Sequence, residues 1–391
     1  MNGTKITLTL ALLAAAGAAV VLLSGPASRA AAADPAPAPA RVPAAGPWDA
    51  PAEVVRWPMR YDRFETLTTK DGLPSDHTTC ALAHGDELIV GTDKGVGLRR
   101  AGTWTYLREK DGLSHDIVTS VARDPETGDW WVSTVRGLTR ISGGKPQVYH
   151  QLNSGLVNDI VYHVSVDGPR VWAATQAGTS VLDTRTGAWA LWDQRNSIMH
   201  EPWCYAVAHG PGRTWIGLWG GAIIERDLGL GMWREYRDPD GEMELDLFRD
   251  DGPLHEVSAF IAYDAGVLWQ GTYFGLSRFD GRRWNTYTAK DTGFPGDFIQ
   301  HVACKGHTCW LSTDQGFAVF DGTTCVSYRR TADGRCAVSV ARDGREVETT
   351  TLATAPGDNF VMSTTPEPDG AWLATGHGLT RAFKAIERKD N

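Results

Sequence analysis

Polar and apolar residues alternate in short runs from about Phe64 to Lys384, and Gly, Asp or Asn interrupts them every ten or so positions. Such alternation between turn formers predicts β-strands, and no long stretch beyond the N-terminal region has helical periodicity. The runs return in a fixed order. One part reads W-x-G/S-T-x-x-G-L, clearest at Trp131 to Leu138 and Trp269 to Leu276. Looser copies begin at Ile89, Trp172, Trp215, Trp310 and Trp372. A second part reads W-x-x-Y-x-x-x-D-G, best seen at Trp284 to Tyr287, with Lys110 to Leu113 as an example of its tail.

Seven units with a period in the forties and four strands each predict an all-β fold, a seven-bladed β-propeller of four-stranded antiparallel blades. In each unit a D-G-L turn leads into a first strand near the central channel, such as Ile117 to Arg123. The second strand carries W-x-x-T, the third starts G-L, and the fourth carries W-x-x-Y at the rim. The last copy stops at a third strand, Gly378 to Phe383, while the first begins with a fourth, Phe64 to Leu67. Pairing of Phe64 to Thr69 with Gly378 to Phe383 would close the ring and leave no inner edge open. The content of 43 Gly and 16 Trp in 391 residues agrees with this reading.

The N-terminus changes the picture of where the propeller works. Lys5 precedes an apolar run from Ile6 to Leu23, and small residues end at Ala31 to Ala33, an A-x-A-like cleavage site. Residues 1–33 therefore read as a signal peptide, with a retained anchor as the alternative, since a run of 18 residues just suffices for a tilted membrane span. Residues 34–58 form an Ala/Pro-rich linker, 59–386 the propeller and 387–391 a tail. The expected location is periplasmic or secreted, or membrane-anchored facing outward. Losing Lys5 and Arg29 takes the formal charge from −9 to −11, which argues against a nucleic-acid partner. An exported chain invites disulfides, and Cys304 with Cys309, and Cys325 with Cys336, bracket short loops. Each bridge would add about 2–3 kcal/mol by loop entropy. Cys80 and Cys204 read as buried free thiols.

Asp280 to Thr288 (DGRRWNTYT) and Asp71 to Asp76 (DGLPSD), together with W-x-G-T-x-x-G-L, closely resemble the two-component-regulator propeller repeat. The resemblance covers nearly the whole exported part. It implies an extracytoplasmic ligand-sensing domain of the kind that precedes a histidine kinase. No kinase, second span or DNA-binding pattern follows Lys384 in this sequence, so only the recognition role is carried over. Streptogramin lyases are also seven-bladed propellers, and the fold alone does not exclude catalysis.

Two sets of connections should share one face of the ring. Loops entering the first strands place an acidic residue at one aligned position, Asp76, Asp116, Asp159, Glu201, Glu256 and Asp297. His115, His200 and His255 precede three of them, and His77 follows Asp76. A carboxylate there can cap the turn by accepting backbone N–H bonds, a role the repeat would use in every blade. The turn does not itself demand histidines, which leaves them as candidates for function.

Turns between second and third strands supply Lys94, Arg136, Gln176, Trp219, Tyr273, Phe274, Gln315 and His377. Trp203, Trp219, Tyr273 and Phe274, from blades four and five, form the expected ligand-binding surface with His200, Glu201, His255 and Glu256. His163 and His301 share a first-strand position and read as partly buried core residues. His84, His209 and His307 fall in hairpins on the opposite face. No cofactor is expected. A divalent cation is admitted only by the insertion containing Asp238, Asp240 and Asp246, whose carboxylates flank a Gly without matching an EF-hand loop.

G-x-S-x-G, H-E-x-x-H and phosphate-loop patterns are absent. The function expected is recognition of a small molecule, glycan or extracytoplasmic protein by the loop face over the channel. The alternative is a lyase- or hydrolase-type enzyme with a His/carboxylate site there.

Overall fold

The computed structural model describes residues 59–384 apart from Ala222 and residues 238–251. Asp238, Asp240 and Asp246 lie outside the described residues, as does the proposed signal peptide. Seven sheets follow one another along the chain, and the ladders within them are antiparallel. Their first strands pack side by side in a ring, each against the next and the seventh against the first. The fold is a seven-bladed β-propeller. Blade four is typical, with strands Cys204–Gly210, Arg213–Leu218, Ile223–Asp227 and Trp233–Tyr236.

The W-x-x-T-x-x-G-L motif has a physical basis in the turn it encodes. In six blades a Thr ends the second strand or directly follows it, and its hydroxyl donates to the carbonyl of the Gly three residues on, as from Thr92 to Gly95 (2.7 Å) and Thr175 to Gly178 (2.7 Å). The same oxygen accepts an N–H from within the turn, for example that of Lys94 (3.0 Å) or Phe274 (3.0 Å). The Gly is needed because φ is positive there. At Gly137, with φ of 119°, an added Cβ would also stand 2.7 Å from the Tyr149 carbonyl oxygen. The motif's Trp serves the core. Trp131, Trp172, Trp215, Trp269 and Trp310 are fully buried.

There is no single central core. Buried apolar side chains form layers that each join two neighbouring blades. One holds Trp172, Val207 and Ile216 between blades three and four, and another holds Trp215, Ile261 and Trp284 between four and five. Every blade therefore needs both neighbours to bury its faces.

Closure follows the expected pairing with a longer strand. Tyr61–Leu67 pairs with Gly378–Lys384, placing Phe64 opposite Ala382 and Leu67 opposite Leu379. Tyr61 adds more than ladder bonds. Its hydroxyl accepts the Trp310 indole N–H (2.6 Å), and its N–H donates to the Tyr328 hydroxyl (2.7 Å).

Blade six departs from the repeat. A hairpin of Cys336–Arg342 and Arg345–Leu352 extends its sheet to six strands. This corrects the reading of Cys325 and Cys336 as a loop-closing pair. Cys325 lies opposite Ala341 and Cys336 opposite Arg330, at the two ends of a long ladder. Five residues of strand separate them by about 16 Å, whereas a disulfide needs Cα atoms within about 7 Å. Cys304 and Cys309 do face each other in register, but as free thiols. All six thiols are free and buried, as expected for Cys80 and Cys204 alone. An alkylating reagent should thus label none in the folded protein and six after unfolding without reductant. Mass mapping that found Cys325 joined to Cys336 would contradict the register.

Candidate functional site

The loops leading into the first strands are built on one plan, and the plan accounts for most of their charged residues. Asp76 accepts the N–H of Thr69 (2.6 Å), Asp116 that of Glu109 (2.7 Å), Asp159 that of Gln151 (2.7 Å) and Asp297 that of Ala289 (2.6 Å). Each carboxylate ties down the start of the turn seven or eight residues earlier. In blade seven Asn359 does this, accepting the N–H of Arg330 (2.6 Å). These carboxylates are structural caps.

The histidines before them also have a turn role, contrary to expectation. His115 and His255 each accept, at Nδ1, the N–H two residues on, from Ile117 (3.0 Å) and Val257 (3.0 Å). Ser75, Asn158 and Asp358 do the same at the matching position. An imidazole whose other nitrogen carries the proton offers the same acceptor that Asx and Ser turns use. Burial lowers the His255 pKa, which keeps that acceptor available. His200 turns outward instead, with Nε2 3.2 Å from Glu235. It does not join the aromatic surface. His77 takes part in this turn through its backbone, donating its N–H to Ser75 and accepting the N–H of Asp93 at its carbonyl.

Blade four breaks the plan twice. Its second strand ends in Leu218 rather than Thr, so the following turn lacks its hydroxyl. Glu201 supplies the missing acceptor by reaching the amide of Gly220. The longer side chain has left the capping position and is half-buried beside the Trp219 turn. Burial raises its pKa, and the charge of Glu256 pushes the same way, while the amides of Gly220 and Trp219 oppose both.

An arc of aromatic rings lies around this turn. Trp219 has Trp203 at 6.3 Å between ring centroids, Tyr273 at 5.6 Å and Tyr205 at 5.4 Å. Tyr205 stacks on Tyr162 at 4.5 Å, and Tyr273 on Phe298 at 4.1 Å. The arc therefore spans blades three to six. Phe274 stands beside it and packs on His255 at 4.4 Å, with 41% of its surface exposed.

Trp203, Trp219 and Tyr273 come together as the sequence suggested, but Tyr162, Tyr205 and Phe298 went unrecognised. The signal was present in the repeat alignment. The first-strand ladder slips by one residue at Tyr162 and at Tyr205, as it does at Thr79, Thr119, Gln300 and Met362 in other blades. A bulge turns the extra residue out of the ladder, and large aromatics occupy that place only in adjacent blades three and four.

The next residue along belongs to the same first strands, and His163 accepts the Val207 N–H of the neighbouring blade at Nδ1 (3.2 Å). His163 and His301 flank Phe260, with ring centroids at 4.9 and 4.1 Å. Burial lowers their pKa values to about 4 and about 3. His209, also near 3 through burial, bonds the hydroxyls of Ser165 (2.8 Å) and Thr214 (3.2 Å). All three are neutral at physiological pH. Among the described residues, no group of three His, Cys, Asp or Glu side chains is placed to hold a metal ion.

The fold defines a class, the seven-bladed β-propeller of four-stranded antiparallel blades. No family model and no curated protein matches the chain. Solved structures share its fold. The extracellular domain of a putative hybrid two-component system from B. thetaiotaomicron gives a TM-score of 0.62 at 15% identity, over 83% of this chain and 42% of that one. A second such domain from the same organism gives 0.61 at 13% identity, over 82% and 40%. Virginiamycin B lyase from Staphylococcus aureus gives 0.57 at 12% identity, over 83% and 99%. The chain thus spans about two fifths of the length of the two extracellular domains, and at these identities the likeness is one of fold.

Proposed function

We propose that this is an exported recognition module of the sensor type, related to the two-component-regulator propellers, that binds its ligand or partner at the channel mouth over blades three to six. One observation carries the reading. Six aromatic rings from four successive blades converge where the other blades present small or charged turns, and a half-buried carboxylate is built into the same turn. Aromatic anchors beside a water-exposed loop are the usual source of binding energy. The extracellular domains that share the fold support the sensor role and a location outside the cytoplasm. A small molecule, glycan or extracytoplasmic protein fits such a surface.

The enzyme alternative has one observation in its favour. His377 Nδ1 lies 2.6 Å from Asp358 Oδ2 on the same face, an arrangement that orients an imidazole. Asp358 also serves its own turn by accepting the N–H of Phe360, which accounts for its place without catalysis.

Replacing Trp219 or Tyr273 by Ala should weaken binding by about 2 kcal/mol or more each if they are hot spots. The two rings pack on one another, so each change should also cost about 1 kcal/mol of stability. Binding must be measured well below the melting temperature. Unchanged affinity in the double variant, with loss in His377→Ala, would move the site across the ring.

A further inference from the structure

Building on the reading of the mouth as a binding surface, we infer that its ligand is an organic cation bearing a substituted ammonium group. The rings supply the first reason. Trp203, Tyr205, Trp219 and Tyr273 meet at tilted or edge angles, between 32° and 71°, so these four rings do not lie flat on one another, while Tyr205 and Tyr273 each give one face to Tyr162 and Phe298. Aromatic faces are negative, and several set at angles around one point attract a cation more than any neutral group.

Charge supplies the second. Glu201 is fixed in the Trp219 turn by the Gly220 amide, and Glu256 occupies the matching loop position of the next blade, near enough for its charge to oppose ionisation of Glu201. A neutral ligand would leave that repulsion in place. A cation relieves it.

The third reason is the distribution of positive charge. Turns between second and third strands in blades three to six offer Gln176, Trp219, Tyr273, Phe274 and Gln315, none of them cationic. Lys94 and Arg136 sit over blades one and two, and Arg136 faces Glu109 at 3.7 Å. Arg329 of blade six donates to the Pro295 carbonyl. The aromatic arc therefore has acceptors and ring faces around it without a built-in counter-cation from these turns.

Choline and its uncharged isostere 3,3-dimethylbutanol separate charge from shape. Titrated into the purified protein and followed by tryptophan fluorescence, choline should saturate with a Kd at least about tenfold below that of the isostere, the step expected of a partly desolvated cation–π contact. Glu256→Gln should weaken choline several-fold, leave the isostere unchanged and reduce the salt dependence of choline binding. Trp219→Leu should weaken both. Equal binding of choline and isostere, or no saturation by choline, overturns the inference. If a neutral oligosaccharide such as maltotetraose then saturates the same Trp219-dependent signal, the mouth remains a binding surface for an uncharged ligand. If the oligosaccharide also fails to saturate, the reading of the mouth falls with the cation.

Discussion

Deleting the chain through Thr69 should abolish cooperative folding of the propeller or lower its stability by most of its total. The segment contributes the outer strand of blade seven, and without it the Gly378–Lys384 strand becomes an open edge. The larger loss is in packing. Tyr61 and Phe64 are 2% and 3% exposed and pack with Phe317 and Tyr328 between blades six and seven. Removing one buried aromatic of this size costs about 3–5 kcal/mol, against about 5–15 kcal/mol for a whole domain. The single change Phe64→Ala should therefore cost about 3–5 kcal/mol and leave the ring closed. A truncated protein that melts at the temperature of the untruncated protein would show that the seventh blade closes some other way.

Acid should destabilise the fold well before its carboxylates titrate. His163, His209 and His301 have folded-state pKa values near 4, 3 and 3, against about 6.5 for an exposed imidazole. Between those limits the unfolded chain binds protons that the folded chain refuses. Stability is therefore full above pH 6.5 and falls as pH drops toward 4, because the group favoured in the fold is the neutral one. Each ring is enclosed by its neighbours but keeps a partly open edge, so about 1 kcal/mol or more per ring is the expected loss. Melting temperatures taken from pH 7 to 4.5 at constant ionic strength would reveal the slope. His301→Asn should remove about one proton's share of it. A flat profile over that range would mean that these imidazoles are solvated and charge freely.

The blades, their order and the closing pair were legible in the sequence because each rests on local rules repeated around the ring, the Thr and Gly turn in six of its seven blades. A Thr that bonds its own turn, a Gly at positive φ and a Trp on an inward face carry their meaning within eight residues. The one closure was implied by two half-units left at the ends. The hairpin Cys336–Leu352 obeys no repeat, and with it missing from the alignment Cys325 and Cys336 looked like neighbours.

The site was legible only in part, and for a different reason. Trp203, Trp219 and Tyr273 stood out because their turns differ from the others. Tyr162, Tyr205 and Phe298 join them through contacts between blades, which no single repeat encodes. The acidic ring shows the opposite case. Asp76, Asp116, Asp159 and Asp297 align as a charged circle but spend themselves on backbone amides, and His115 and His255 are turn acceptors. Glu201, at the same aligned position, is set apart because blade four lost its turn Thr and a longer side chain could reach the vacated amides. The sequence by itself determined the propeller and the face on which its variable turns gather, since strand alternation and turn chemistry are local. Which of those residues cap turns and which gather as an aromatic cluster was decided only by the ring, which brings the side chains of four blades together.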